Sequence, residues 1–235
     1  MTDSASAAAV PLQTAVRSPL SLLAVIDLFC RPSRFFANST LLTKTPEVLL
    51  VAWISGVAYV LGKIDFRLMQ SELGSSSSTV RTQLTEWLTS SWTQYWFFAI
   101  ALGALNAWIL WYLAGWWYRK RLEWSGAVNP APQLVRPLYM YQDLVMSAPA
   151  VLITVAETIV YRNYAEAWVA ESWWALFAIV FVFWSCATSY KAATTAFTLS
   201  KWKARLWFLF LPIAVYLVVV GLVSGLYMLA EGNVA

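Results

Sequence analysis

Histidine is missing from this chain of 235 residues, and cysteine occurs only twice, as Cys30 and Cys186. Without imidazole there is no histidine general base, no histidine-ligated haem and no ordinary zinc site. A serine–histidine catalytic pair is excluded with them. The two cysteines stand far apart, one near the N-terminus and one inside an apolar run, which predicts packing or lipid contact and no disulfide. Charge is scarce as well. Asp, Glu, Lys and Arg make up 12% of the chain, where a soluble domain carries about a quarter. No P-loop or glycine-rich phosphate loop occurs. The "GLVSG" of Gly221–Gly225 is not a nucleophile elbow. Ser189 and Lys191 are two apart on a predicted helix and point to different faces, a poor dyad. The expectation is a non-enzyme with no cofactor and no metal site.

Apolar sequence takes the place of what is missing. The chain is 60% hydrophobic with a mean hydropathy of +0.60, more than a soluble surface can hide. Continuous apolar runs of about twenty residues predict membrane-crossing helices; a barrel would alternate in segments of about ten. The predicted fold is all-α: a five-transmembrane-helix bundle over 46–230, with spans at about 46–64, 94–118, 134–161, 173–199 and 206–230. The first opens with Thr45-Pro46-Glu47, a cap, a first-turn proline and an acid at the positive helix end. Residues 1–17 read as a disordered cytoplasmic tail. Residues 18–45 read as short amphipathic helices in the membrane interface, with Leu22, Leu23, Ile26, Phe29, Phe35 and Phe36 on apolar surroundings. Gly74–Ser78, "GSSSS", reads as a flexible loop tip.

The basic residues divide unevenly between the two sides. Arg17, Arg31, Arg34, Lys44, Arg119, Lys120, Arg121, Arg136, Lys201, Lys203 and Arg205 fall on one side; Lys63, Arg67, Arg81 and Arg162 fall on the other. The positive-inside rule puts the N-terminus in the cytoplasm and, after five crossings, the C-terminus outside. Tryptophans sit at both boundaries: Trp87, Trp92, Trp168, Trp173 and Trp174 outside, Trp116, Trp117, Trp124, Trp202 and Trp207 inside. Arg31, Arg34, Arg119, Lys120, Arg121, Lys201, Lys203 and Arg205 are expected as membrane-surface anchors on anionic head groups of the inner leaflet, and nucleic acid is not expected.

Two charges fall inside apolar spans at matched depth, Asp143 on the third and Lys191 on the fourth. They pair with each other, or they stand apart with Lys191 snorkelling to head groups, or the pairing is with Arg119 to Arg121. Glu157, close to the outer end of its span, is expected to reach outer water. Small residues recur at four-residue spacing: Gly221 and Gly225 on span five; Ala99, Gly103 and Ala107 on span two; Ala52 and Gly56 on span one. Such ridges serve helix packing within the chain or self-association.

Five stretches carry a family resemblance, which runs from Leu28 to Ala230. They are "CRPSRFFANS", "WWYRKRLEWSGA", "YMYQDLVMSAPAVL", "YKAATTAFTLSKWKARLW" and "LPIAVYLVVVGLV". In order and spacing the chain resembles the bacterial branch of the Yip family, five-span membrane proteins. The resemblance implies a five-helix bundle with a cytoplasmic N-terminal segment, in a bacterial inner membrane. The functional expectation is a non-catalytic protein that organises lipid or scaffolds other membrane proteins, as part of a larger complex or alone. The alternative is a channel or transporter using Asp143 and Lys191, with Asn106 near the path.

Overall fold

The computed structural model describes residues 18–38, 42, 45–72, 79–170 and 174–232, and its elements are helical throughout. The tail at 1–17, Lys44, the Gly74–Ser78 loop tip and Trp173 lie outside the described residues. Helix α1 (Leu22–Cys30) starts at Ser21, whose hydroxyl accepts from the Ala24 N–H at 3.4 Å. Pro32 cannot carry that helix on and opens α2 (Pro32–Phe36) instead. Ala24, Leu28, Phe35 and Phe36 are buried, while Leu22, Leu23 and Ile26 stay exposed. The Phe35 ring meets Tyr141 edge-on at 5.2 Å, and Trp184 Nε1 donates to the Phe29 carbonyl at 2.8 Å. The predicted interfacial segment is therefore docked on the bundle by one apolar face and presents a second one outward.

Among the described residues four helices are long and apolar enough to cross a membrane, and they span Thr45–Met69, Trp92–Trp124, Pro132–Val160 and Lys201–Leu222. They belong to α3 (Thr45–Glu72), to α5 (Trp92–Ile109) running through a π-helical turn, Leu110–Ala114, into α6 (Gly115–Trp124), to α7 (Pro132–Val160), and to α10 (Lys201–Arg205), which passes through a second π-helical turn, Leu206–Phe210, into α11 (Leu211–Gly232). The region predicted as the fourth of five spans is α9 (Trp174–Ala196), 23 residues long. Short helices α4 (Thr79–Thr89) and α8 (Tyr164–Val169) join the long ones at one pole.

Helix α3 runs well past its predicted end at Ile64. Ile64 is buried and Leu68 packs beside it, so one face stays apolar while Lys63 leans back over the Tyr59 ring at 5.1 Å. In α8, Asn163 accepts from the Glu166 N–H at 2.9 Å while the Glu166 carboxylate accepts from the Arg162 N–H at 3.0 Å; the pair stops α7 from continuing and restarts the chain in a new direction. At the other pole, Gly126 takes a φ of +102°, open to glycine without strain, and the Ser200 N–H donates to the Ser125 carbonyl at 3.0 Å. This is the basic pole, carrying Arg119–Arg121 and Lys201–Arg205.

The apolar core forms two clusters. One, at the basic pole, joins Phe35, Tyr118, Leu122, Leu138, Met140 and Phe208. The other, at the opposite pole, joins Val60, Leu61, Ile64, Tyr95 and Tyr164. Between them α3 crosses α5 at very close range. A Cβ on Gly56 would lie 2.0 Å from the Gly103 carbonyl oxygen and 2.7 Å from the Ala107 nitrogen, and one on Gly103 would lie 2.5 Å from Val57 Cγ2. The ridges Ala52–Gly56 and Ala99–Gly103–Ala107 thus pack on each other. The Gly221–Gly225 ridge does not follow them. A Cβ at either glycine would meet nothing within 4 Å, which corrects the expectation of internal packing there among the described residues.

Candidate functional site: a buried polar cluster beside an apolar groove

Asp143 lies on α7 with Tyr139 four residues before it and Ser147 four after, so all three share one helix face. Tyr139 Oη donates to Asp143 Oδ1 at 3.4 Å, and Ser147 Oγ donates to Oδ2 at 2.8 Å. Ser55 of α3 faces the same carboxylate, and its Oγ makes no hydrogen bond of its own. Lys191 is elsewhere. Helix α9 turns Thr188, Ser189, Ala192 and Ala193 inward, all buried, and Lys191 falls on the exposed face between them. No ion pair joins Asp143 and Lys191 among the described residues. Of the alternatives for Lys191, the pair with Asp143 does not form, because the helical phase of α9 turns Lys191 outward.

The cation that enters the bundle is Arg121, which had been expected at the membrane surface. It is 8% exposed. Its guanidinium lies between the rings of Phe208, at 4.8 Å, and Tyr118, at 5.0 Å, and Nη1 donates to the Trp207 carbonyl at 3.4 Å. Its Nε has no acceptor. Gly115, Tyr118, Arg121 and Leu122 form the buried face of α6. Arg119 and Lys120 fall on the other side and hold Glu123 at 3.1 and 2.8 Å. The signal was available in the sequence: Tyr118 and Leu122 are four apart on a helix, and Arg121 shares their face. Tyr118 Oη also donates to the Ser189 carbonyl at 3.1 Å. Tyr139 and Tyr216 each stand within electrostatic reach of both Arg121 and Asp143. Asp143 and Arg121 make no direct contact; the two phenols stand between them.

The remaining predicted anchors are at the surface. Arg31, Arg34, Lys201, Lys203 and Arg205 are exposed. Arg34 approaches Asp27 at 3.8 Å, an exposed pair worth little to stability. Asn106 turns its amide back onto the Leu102 carbonyl at 3.0 Å. Both cysteines are free, Cys30 exposed and Cys186 buried. Among the described residues no group of three His, Cys, Asp or Glu side chains could hold a metal ion.

The opposite pole carries an aromatic clasp that the sequence reading missed. Tyr164 donates to Asp65 Oδ1 and stacks on Tyr95 with centroids 4.3 Å apart. Trp92 Nε1 donates to the Tyr161 carbonyl at 2.8 Å, and Trp96 Nε1 donates to Thr158 Oγ1 at 2.9 Å. Burial, then the neighbouring Asp65 charge, push the Tyr164 phenol far above its ordinary pKa, so it remains a donor. Glu157 is only partly exposed and lies within electrostatic reach of Asp65.

Beside the close crossing, a gap opens between α3 on one side and α5 with the π-helical turn Leu110–Ala114 on the other. The gap is an open apolar groove of about 420 Å³, walled by Leu49, Ala52 and Trp53 on one side and by Ala104, Trp108 and Tyr112 on the other. Compared with protein-family models, with curated proteins and with solved structures, the chain has no match.

Proposed function

We propose that this protein is a non-catalytic, five-crossing membrane protein of the Yip type that organises lipid or scaffolds other membrane proteins. In this reading α9 is the fifth crossing, the N-terminus is cytoplasmic, the C-terminus is outside, and the membrane is a bacterial inner membrane. The observation that carries it is the lack of internal cover on α11. Val215, Leu217, Val218, Val219 and Leu222 are all exposed. Lipid gives apolar helices no hydrophobic reason to associate, so such a face is suited to lipid or to another chain. Purification in mild detergent, with the co-purifying lipids and proteins identified, tests this; a bare, monomeric, lipid-free protein would sink it. Reporters fused at the two ends test the topology, and both on one side would remove the fifth crossing.

The part-buried polar residues Asp143, Tyr139 and Tyr216, with Arg121 beyond them, favour a second reading, a transporter. In proteoliposomes, Asp143→Asn that inserts and folds normally but loses a flux seen in the parent protein would replace the first reading with this one.

A further inference from the structure

One wall residue of the groove between α3 and α5, Tyr112, carries a cation on its ring. Arg136, from the first turns of α7, stacks its guanidinium on the Tyr112 ring at 4.6 Å, and Tyr112 is also a wall of the groove. Its stem reaches that ring by crossing Gly115, where a Cβ would lie 2.8 Å from Arg136 Cγ. The π-helical turn Leu110–Ala114 ends immediately before that glycine; π-turns add a residue to the helix and are frequent at functional sites. No carboxylate lies within ion-pair distance of Arg136 among the described residues. The neighbouring Trp116 and Trp117 are exposed, as expected of side chains at head-group depth. The groove's walls offer no acid.

From this we infer that the groove holds one acyl chain of an anionic phospholipid whose phosphate sits on Arg136. The occupant follows from charge, depth and length. An apolar cleft with a planar guanidinium, free of any carboxylate, stacked on one of its wall residues is complementary to a lipid with an apolar tail and a phosphate head. From Ala104 to Tyr112 the wall is about 12 Å long at 1.5 Å per residue. A partner helix would need a seam running through a core about 30 Å thick. The volume is within the roughly 300–1,000 Å³ of small-molecule pockets. The inference rests on the lipid-organising reading above and names the lipid class and the residue that selects it.

The test is native mass spectrometry of the full chain released from nanodiscs of phosphatidylcholine with a minor share of phosphatidylglycerol. The parent protein is expected to keep one phosphatidylglycerol in preference to phosphatidylcholine, by about fivefold, the effect of one basic residue at an anionic surface. Arg136→Gln should bring that preference to near unity while some lipid stays bound. Ala104→Phe, which fills the cleft without touching the charge, should reduce both lipids. Arg162→Gln, an exposed cation at the opposite pole, should change nothing. If Arg136→Gln does not fold, Ala104→Phe decides alone. A parent protein that keeps no lipid would remove the lipid-organising reading and the inference together. A parent that keeps phosphatidylglycerol, with Arg136→Gln and Ala104→Phe keeping it equally, would overturn the inference alone. A dimer in the parent that Ala104→Phe dissociates would make the occupant a second copy and likewise overturn it.

Discussion

On α3 a Cβ at Gly56 would stand 2.0 Å from the Gly103 carbonyl oxygen, whereas on α11 a Cβ at Gly221 or Gly225 would meet nothing within 4 Å. The two ridges have the same spacing and the same residue type. What differs is the facing helix. Against Ala52 and Gly56 stands a matching ridge, Ala99 and Gly103, and Trp53 fastens the crossing by donating from Nε1 to the Ile100 carbonyl at 3.1 Å. No described helix offers α11 a matching ridge. Small residues permit close approach; an opposed ridge and a polar fastener produce it.

The largest effect that tests this contrast is Gly56→Ala. The added methyl meets backbone on α5, which cannot rotate away, so the loss should be at the upper end of overpacking, about 3 kcal/mol or more. Unfolding in detergent measures it, and a change within about 0.5 kcal/mol, the scale of ordinary surface substitutions, would mean the crossing is looser than described. Asp143→Ala comes next. It strands the hydroxyls of Tyr139 and Ser147 and should cost about 1–3 kcal/mol. A double-mutant cycle of Asp143→Asn with Lys191→Met then sharpens the correction made above. The coupling should stay within about 0.5 kcal/mol, as for residues that share no contact; a coupling well beyond that would restore the ion pair. The smallest effect belongs to Gly221→Leu, expected within about 0.5 kcal/mol for the monomer. A large destabilisation of the monomer would show that α11 has an internal partner after all.

Much of the architecture was legible in the sequence because apolar length is a strong signal. Helix covers 46–64, 94–118 and 206–230, and 134–161 up to Val160. Their ends were less legible. Ile64 to Leu68 and Tyr118 to Leu122 continue an apolar face past the charges at Lys63 and Arg119, and burial on that face keeps the helix going. The Ala52–Gly56 and Ala99–Gly103 ridges were visible as a spacing, and their contact needed the fold. For the polar residues, depth could be counted along the chain but phase could not. Asp143 was singled out by its depth, and the same count left open whether Lys191 paired with it or snorkelled. Arg121 was hidden in a basic triplet whose neighbours, Arg119 and Lys120, are half-exposed and turned to Glu123. The Asp65–Tyr164 contact joins residues 99 apart in sequence, through a loop helix with no periodic signal of its own.

The burial of Arg121 has a consequence for the order in which the chain assembles. The guanidinium's shelter comes from Trp207 and Phe208, and its backbone acceptor is 86 residues downstream. When the helix holding Arg121 first enters the membrane, that shelter has not been synthesised. Arg121 must then wait at the head groups, its side chain solvated by water or phosphate. It is drawn inward only when the Leu206–Phe210 turn docks. Closure of the basic pole is therefore a late event that follows insertion. A chain released before Phe208 would carry the same early helices with Arg121 still outside the bundle, which makes this arginine a built-in marker of whether the last helix has arrived.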